Sequence, residues 1–271
     1  MASSQPVVLV TGASRGLGLA IAQQLLSQGS NVLTLSRSLT PELGSLSEKK
    51  HKDDAEILTH QGSVNSEKDT QEGVKKALEK WQRLDGVILN AGVIDFARIS
   101  DVTPSSFAEQ IQTNLSSLVV TLHYTLPHLR KSPTGQGKVV FVSSGASVGN
   151  TAGWSAYNAG KAGMNAIART LASEEPSLAI WAVRPGVVAT EMQTQIRSSG
   201  KESMDAASYD KFSGMHRDGT LLPPEQPGHV LAALAIRGTR DDPKGADGQG
   251  AGAKGGYIDW SSEELKSFRL P

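Results

Sequence analysis

Seven short runs of β-branched and leucine-rich residues recur along the chain: VVLVTG (7–12), NVLTLS (31–36), AEILTHQ (55–61), DGVILNAG (85–92), KVVFVSS (138–144), LAIWAVRPG (178–186) and GYIDW (256–260). Most are apolar without interruption, the pattern of strands buried on both faces of a parallel sheet. Between them the apolar positions take helical spacing over 16–28, 67–82, 104–131, 154–174 and 224–237, and Gly29 supplies a stop signal after the first. Strands alternating with crossover helices predict an α/β fold. It is a single doubly wound domain over 1–271, with a seven-stranded, mostly parallel sheet and helices on both faces. No internal repeat interrupts the pattern.

Two segments break the rhythm. Residues 187–222 follow the sixth strand and hold Met192, Met204 and Met215, three of the five methionines. Length and adaptable side chains suit a lid over an apolar substrate; the alternative is a surface helix pair whose methionines fill gaps. The segment 241–256 carries six glycines in its last twelve residues, with no strand just before them and no helix just after, and reads as a flexible insertion.

Composition narrows the function classes. Hydrophobic residues make up 38% of the 271 residues, and Lys plus Arg equals Asp plus Glu at 27 each. That balance gives no reason to expect nucleic acid or an anionic membrane as the main partner. The absence of cysteine excludes disulfides and thiol catalysis. The six histidines show no metal-binding spacing, so no metal is expected. An apolar strand pattern begins by Val7, no apolar run approaches the ~18 residues of a membrane span, and the closing FRLP is not a peroxisomal address. The expected setting is cytoplasmic.

The first strand runs into TGASRGLG, with Gly12, Gly16 and Gly18. A strand must turn sharply into a helix there, and the backbone must approach closely, which suits a pyrophosphate at the helix N-terminus. At the end of the second strand stand Ser36 and Arg37, with Arg15 inside the glycine loop. Two guanidinium groups and a hydroxyl suit a ribose 2′-phosphate, where an NAD-preferring site usually has a carboxylate; the alternative is a pair of solvent-facing arginines. The expected cofactor is NADP(H).

Together, TGASRGLG (11–18), NAG (90–92), Asn114, SSGAS (143–147), YNAGK (157–161) and RPG followed by Thr190 resemble the short-chain dehydrogenase/reductase family. The resemblance runs from Val7 to Trp260 and favours the single-domain, NADP(H)-preferring branch with its Rossmann-like fold. A finer similarity, carried by VRPGVVATEMQTQIR and GGYIDW, points to sepiapterin-reductase-like proteins and fungal reductases of benzil-type diketones.

That resemblance implies a catalytic set. Tyr157 is the proton donor and Lys161 the cation that tunes it; their i, i+4 spacing puts both on one helix face. At about 4 Å and an effective dielectric of about 20 the attraction is about 4 kcal/mol, worth roughly 3 pK units of the phenol at most. Ser144, rather than Ser143, holds the substrate carbonyl. Asn114 binds a water that links Lys161 to solvent, or else is a satisfied core amide. Cofactor contacts are implied for Gly12, Ser14, Arg15, Gly16, Leu17 and Gly18. They are implied too for Ser36, Arg37, Asn90, Ala91, Gly92, Tyr157, Lys161, Pro185, Gly186, Val188 and Thr190. Ser63-Val64 stands where the family often has Asp-Val, so the adenine contact falls to the Val64 backbone. Asp259 matches a pterin-anchoring aspartate, or else is a capping or surface carboxylate. Met192 is a candidate substrate contact from the lid; Trp154 and Trp181 read as packing, with Trp154 able to line a pocket.

The implied activity is NADPH-dependent reduction of a small-molecule ketone or α-dicarbonyl. The alternatives are a pterin side-chain reductase and a non-catalytic NADPH-binding regulator. Relatives pair through the helices at 104–131 and 154–174, so a homodimer or homotetramer is expected.

Overall fold

The computed structural model describes residues 4–270. The expectations about a leader before Val7 and about the closing FRLP fall partly on residues 1–3 and 271, outside the described residues. The seven strands are β1 (Val7–Thr11), β2 (Asn31–Ser36), β3 (Ile57–Gln61), β4 (Gly86–Leu89), β5 (Lys138–Val142), β6 (Ala179–Arg184) and β7 (Gly256–Asp259). They form one sheet in the order β3-β2-β1-β4-β5-β6-β7, with every pairing parallel. Helices α1 (Gly16–Ser27), α2 (Pro41–Gly44), α3 (Glu67–Trp81), α4 (Pro104–Ile111), α5 (Ser117–Leu129) and α6 (Ser155–Glu174) connect the first six strands. After β6 come α7 (Glu191–Ser199), α8 (Ala206–Arg217) and α9 (Glu225–Arg237).

Uninterrupted apolar strands require cover on both faces, and two separate apolar layers provide it. Val8, Val10, Val140, Trp181 and Val183 pack toward α1 and α9. Val7, Leu9, Leu89, Phe141 and Ala182 pack toward α3, α5 and α6. The chain reverses direction across the sheet between β1 and β4, and connections diverging from neighbouring strand ends leave a crevice at such a switch point.

Four features refine the sequence expectations. The helix expected over 104–131 is interrupted by a π turn at Gln112–Ser116, which places Asn114 at an irregularity inside a helix. The 187–222 segment is the helix pair α7–α8. Asn90–Gly92 and Pro185–Gly186 lie just past the strands that lead to them, so they belong to the crevice rather than the sheet. The 241–256 segment, expected as a flexible insertion, is mostly exposed over 241–249 and packs only at its end: Ala251 is buried, and a Cβ on Gly252 would come within 2.8 Å of the Trp181 ring. Its glycines admit neighbours that side chains would exclude.

Candidate active site

The carboxyl ends of β1 to β6 meet in one cleft of about 1100 Å³. The glycine loop forms its floor. Gly12 (φ +69°) takes a backbone conformation that side chains disfavour, and a Cβ there would stand 2.9 Å from the Ala91 Cα. A Cβ on Gly18 would stand 2.2 Å from the Gly12 carbonyl oxygen, so α1 starts hard against its own loop. Asn90 Nδ2 donates to the carbonyls of Thr11 (3.0 Å) and Gly12 (3.2 Å), and Thr11 Oγ1 accepts from the Asn90 and Ala91 N–H groups. Asn90 therefore lines the cleft while its amide holds the loop. Arg15, the N-cap residue of α1, makes no side-chain cap, so the first N–H groups of α1 depend on a partner from outside the helix.

Ser14, Gly16, Leu17, Ser36, Arg37, Ser63 and Val64 also line this half of the cleft. Ser36 Oγ is buried with no protein hydrogen-bond partner, beside the exposed Arg37. Arg15 is paired with Glu191 at the start of α7. Ser63 gives its N–H to Asp69 Oδ2 at 2.8 Å, which leaves the neighbouring Val64 backbone facing the cleft edge. Pro185, Gly186, Val188 and Thr190 line the opposite end, where Gly16 approaches the Thr190 methyl. The close-approaching glycine backbone, the uncapped helix N-terminus and the unpartnered Ser36 hydroxyl fit a nicotinamide dinucleotide.

Ser144, Tyr157 and Lys161 meet at the middle. The Ser144 side chain hydrogen-bonds Tyr157, and Lys161 Nζ lies 5.8 Å from the Tyr157 ring centre. Ser143 is buried and donates to Asn165 Oδ1 at 2.6 Å, whereas Ser144 is half-buried at the cleft, so the second serine is the one presented. Lys161 donates to the Val142 carbonyl at 2.7 Å, and burial lowers its pKa to about 8. Burial pushes the Tyr157 phenol up, with the Ser144 hydrogen bond pulling the other way. The sequence argument had the lysine loosening this proton. Burial acts against that cation, because exclusion of water disfavours the phenolate. Burial is the larger effect and favours the protonated phenol of Tyr157.

Asn114 is fully buried, and both ends of its amide are engaged: Oδ1 accepts from the Val93 N–H and Nδ2 donates to the Val93 carbonyl, each at 2.8 Å. The amide thereby clamps the loop after β4. Gly92 fits between this amide and Lys161, since a Cβ there would lie 3.2 Å from Oδ1 and 3.8 Å from Nζ.

Beyond Tyr157 the cleft has an apolar wall. Trp154 stands edge-on to Tyr157 at 5.8 Å and stacks on Phe212 of α8 at 5.1 Å, with Ile94, Ile196, Met204 and Met192 around them. Trp154 and Met192 line the cleft here, Trp181 is core, and Met215 stands apart from this cluster. Asp259 is not brought in: Ser261 donates to it from N–H and Oγ, and Arg184 pairs with it at 3.5 Å. Sequence reasoning missed Phe212, Arg184, Lys211, Ile94 and Asn65, which line the cleft. Phe212 carried one signal, as an aromatic in the suspected lid. Arg184 stood inside the RPG motif, and the other three carried none.

A family model described as short chain dehydrogenase matches residues 6–201. An uncharacterized oxidoreductase of Schizosaccharomyces pombe is 36% identical, over 96% of this chain and 98% of its own length. A benzil reductase, (S)-benzoin forming, of Saccharomyces cerevisiae is 33% identical over 88% of this chain and 93% of its own. The crystal structure of a short chain dehydrogenase/reductase of Saccharomyces cerevisiae superposes with a TM-score of 0.87 at 32% identity, covering 98% of this chain and 100% of that one.

Proposed function

The chain belongs to the short-chain dehydrogenase family, and from that premise we propose that it is an NADPH-dependent carbonyl reductase of ketones and α-dicarbonyl compounds. The observation that carries this reading is the Ser144–Tyr157–Lys161 cluster at the centre of a cleft with a dinucleotide cradle on one side and an apolar wall on the other. NADPH, when bound, supplies the hydride. Gly12, Gly16 and Gly18 give it backbone access, and Ser36, Arg37 and Arg15 provide the hydroxyl and guanidinium groups for a 2′-phosphate. Lys161 holds the ribose hydroxyls. Ser144 Oγ donates to the carbonyl oxygen as negative charge develops there, and Tyr157 passes its proton to that oxygen. Lys161 stabilises the phenolate left behind.

The benzil reductase relative supports a dicarbonyl substrate, and the aromatic wall of Trp154 and Phe212 is suited to one. The pterin alternative depended on Asp259, whose carboxylate is occupied by Arg184 and Ser261. A binding-only regulator has no physical need for a complete proton-transfer set. Among the described residues no helix is long and apolar enough to cross a membrane. The family reading also carries a homodimer or homotetramer through α4–α5 and α6, where Val119 is 56% exposed; the cytoplasmic setting is proposed from the sequence expectation alone.

Tyr157→Phe tests the proposal. NADPH binding, read by fluorescence, should survive, while NADPH oxidation with 1-phenyl-1,2-propanedione should drop at least about 100-fold. Normal turnover by that variant would refute the mechanism.

A further inference from the structure

The cleft is more cationic than the chain. Among the described residues lining it, Arg15, Arg37, Lys161, Arg184 and Lys211 are basic and Glu191 is the one acid, although Lys plus Arg and Asp plus Glu are equal in the sequence, 27 each. The proposed function, on which this inference rests, uses Arg15, Arg37 and Lys161 for the cofactor and the proton donor. Arg184 and Lys211 are left over.

Arg184 is the better placed of the two. It ends β6, and a Cβ on Gly145 would stand 3.2 Å from its Nε and 3.3 Å from its Cζ, so the guanidinium lies beside the residue that follows Ser144. Its side chain is 44% exposed, open to a ligand. Asp259 Oδ2, 3.5 Å from Nε, steadies one edge of the fork, and Asp259 is itself fixed by Ser261. Trp154 and Phe212 supply an apolar contact elsewhere in the cleft, beside Tyr157. A carbonyl compound held at Ser144 and Tyr157 would have an apolar surface within reach on one hand and a planar cation on the other. A guanidinium recognises carboxylates through charge-assisted, often bidentate, hydrogen bonds.

We propose that Arg184 is an anion-recognition residue of the substrate site, and that the preferred substrates are oxo acids: a reacting carbonyl with an apolar or aromatic group to one side and a carboxylate to the other. Asp259 is its positioning partner.

The test compares 2-oxo-2-phenylacetate with 1-phenyl-1,2-propanedione, which share the ring and reacting carbonyl but differ in the carboxylate. The readout is the ratio of their kcat/KM values, acid over dione. Arg184→Met should lower that ratio at least about tenfold, as expected for the loss of one charge-assisted hydrogen bond. Arg184→Lys should restore part of it, and Asp259→Asn, which removes the carboxylate that steadies the fork, should lower it. A purely structural arginine would lower both kcat/KM values together, so a ratio within about twofold of wild type in Arg184→Met overturns the proposal. Calorimetric titration of the NADP⁺-loaded protein with 2-oxo-2-phenylacetate gives a second readout that needs no turnover. Weaker binding in Arg184→Met, or in Arg184→Lys should the first variant not fold, supports the anion site; equal binding refutes it. Absence of NADPH oxidation with either compound in the wild type counts against the reductase reading, while the titration still decides the anion site.

Discussion

At Lys161 two consequences of burial run in opposite directions with pH. The ammonium is enclosed and its pKa falls from 10.5 to about 8. Below pH 8 the folded protein carries the full cost of burying the charge. Between about 8 and 10.5 the folded protein has lost this proton while the unfolded chain still binds it, so the stability contribution rises with pH, by about 3 kcal/mol in all. Urea titrations at several pH values should show that rise in the wild type and not in Lys161→Met. Activity should do the reverse. The phenol is pushed up, so the first proton lost is the lysine's, and kcat/KM for reduction should be level below pH 8 and fall above it. A profile unchanged to pH 10 would contradict this. Gly18 illustrates a different residue-scale limit. Its added Cβ would meet a backbone oxygen that has nowhere to go, so Gly18→Ala should weaken NADPH binding and cost about 1–3 kcal/mol, measurable by dye titration and thermal melting.

The π turn between α4 and α5 acts as an element rather than as one residue. It sets Asn114 where one amide satisfies both polar groups of Val93, in the loop between Gly92 of the cleft and Ile94 of the apolar wall. Asn114→Leu would leave two backbone groups unpaired at about 1–3 kcal/mol each. Asn114→Asp keeps the acceptor and loses the donor, so its melting temperature should lie between those of Asn114→Leu and wild type. The helix pair α7–α8 and the turn between its helices are tied to the apolar wall by a few side chains. Gln195 Nε2 donates to the Ile94 carbonyl, Ser203 Oγ to the Phe96 carbonyl, and Phe212 stacks on Trp154. Phe212→Ala should therefore raise KM for aromatic ketones with a melting temperature close to wild type, since a half-buried lid residue supports the pocket more than the core.

Across the whole molecule, chemistry and stability occupy opposite ends of the sheet. The cleft lies at the carboxyl ends. At the amino ends, fully buried Asp85 accepts from the Val7 N–H, from Ser132 Oγ, and from two guanidinium nitrogens of Arg83 at 2.7 and 2.9 Å. Removing one partner of such a pair leaves a buried charge uncompensated, which costs about 3–5 kcal/mol. Asp85→Ala should lower stability by that order in urea, while kcat per folded molecule stays near wild type because no cleft residue is touched.

The fold and much of the site were legible because they are written in local spacing. Uninterrupted apolar runs specify strands covered on both faces, TGASRGLG specifies a turn that only glycines allow, and YNAGK puts two side chains on one helix face. The π turn was not legible, since no residue in QTNLS forbids an ordinary helix. Nor was the packing at the end of 241–256, whose glycines read as freedom until Trp181 is seen against them. Alternation, turn chemistry and helical register are properties of near neighbours, so the chain alone determined the order of elements and the helix face that Tyr157 and Lys161 share. Which carboxylate Arg184 finds, which ring covers Trp154, and whether burial or a nearby cation governs the Tyr157 proton depend on groups distant in the chain and on exclusion of water. Those were decided only when the sheet closed.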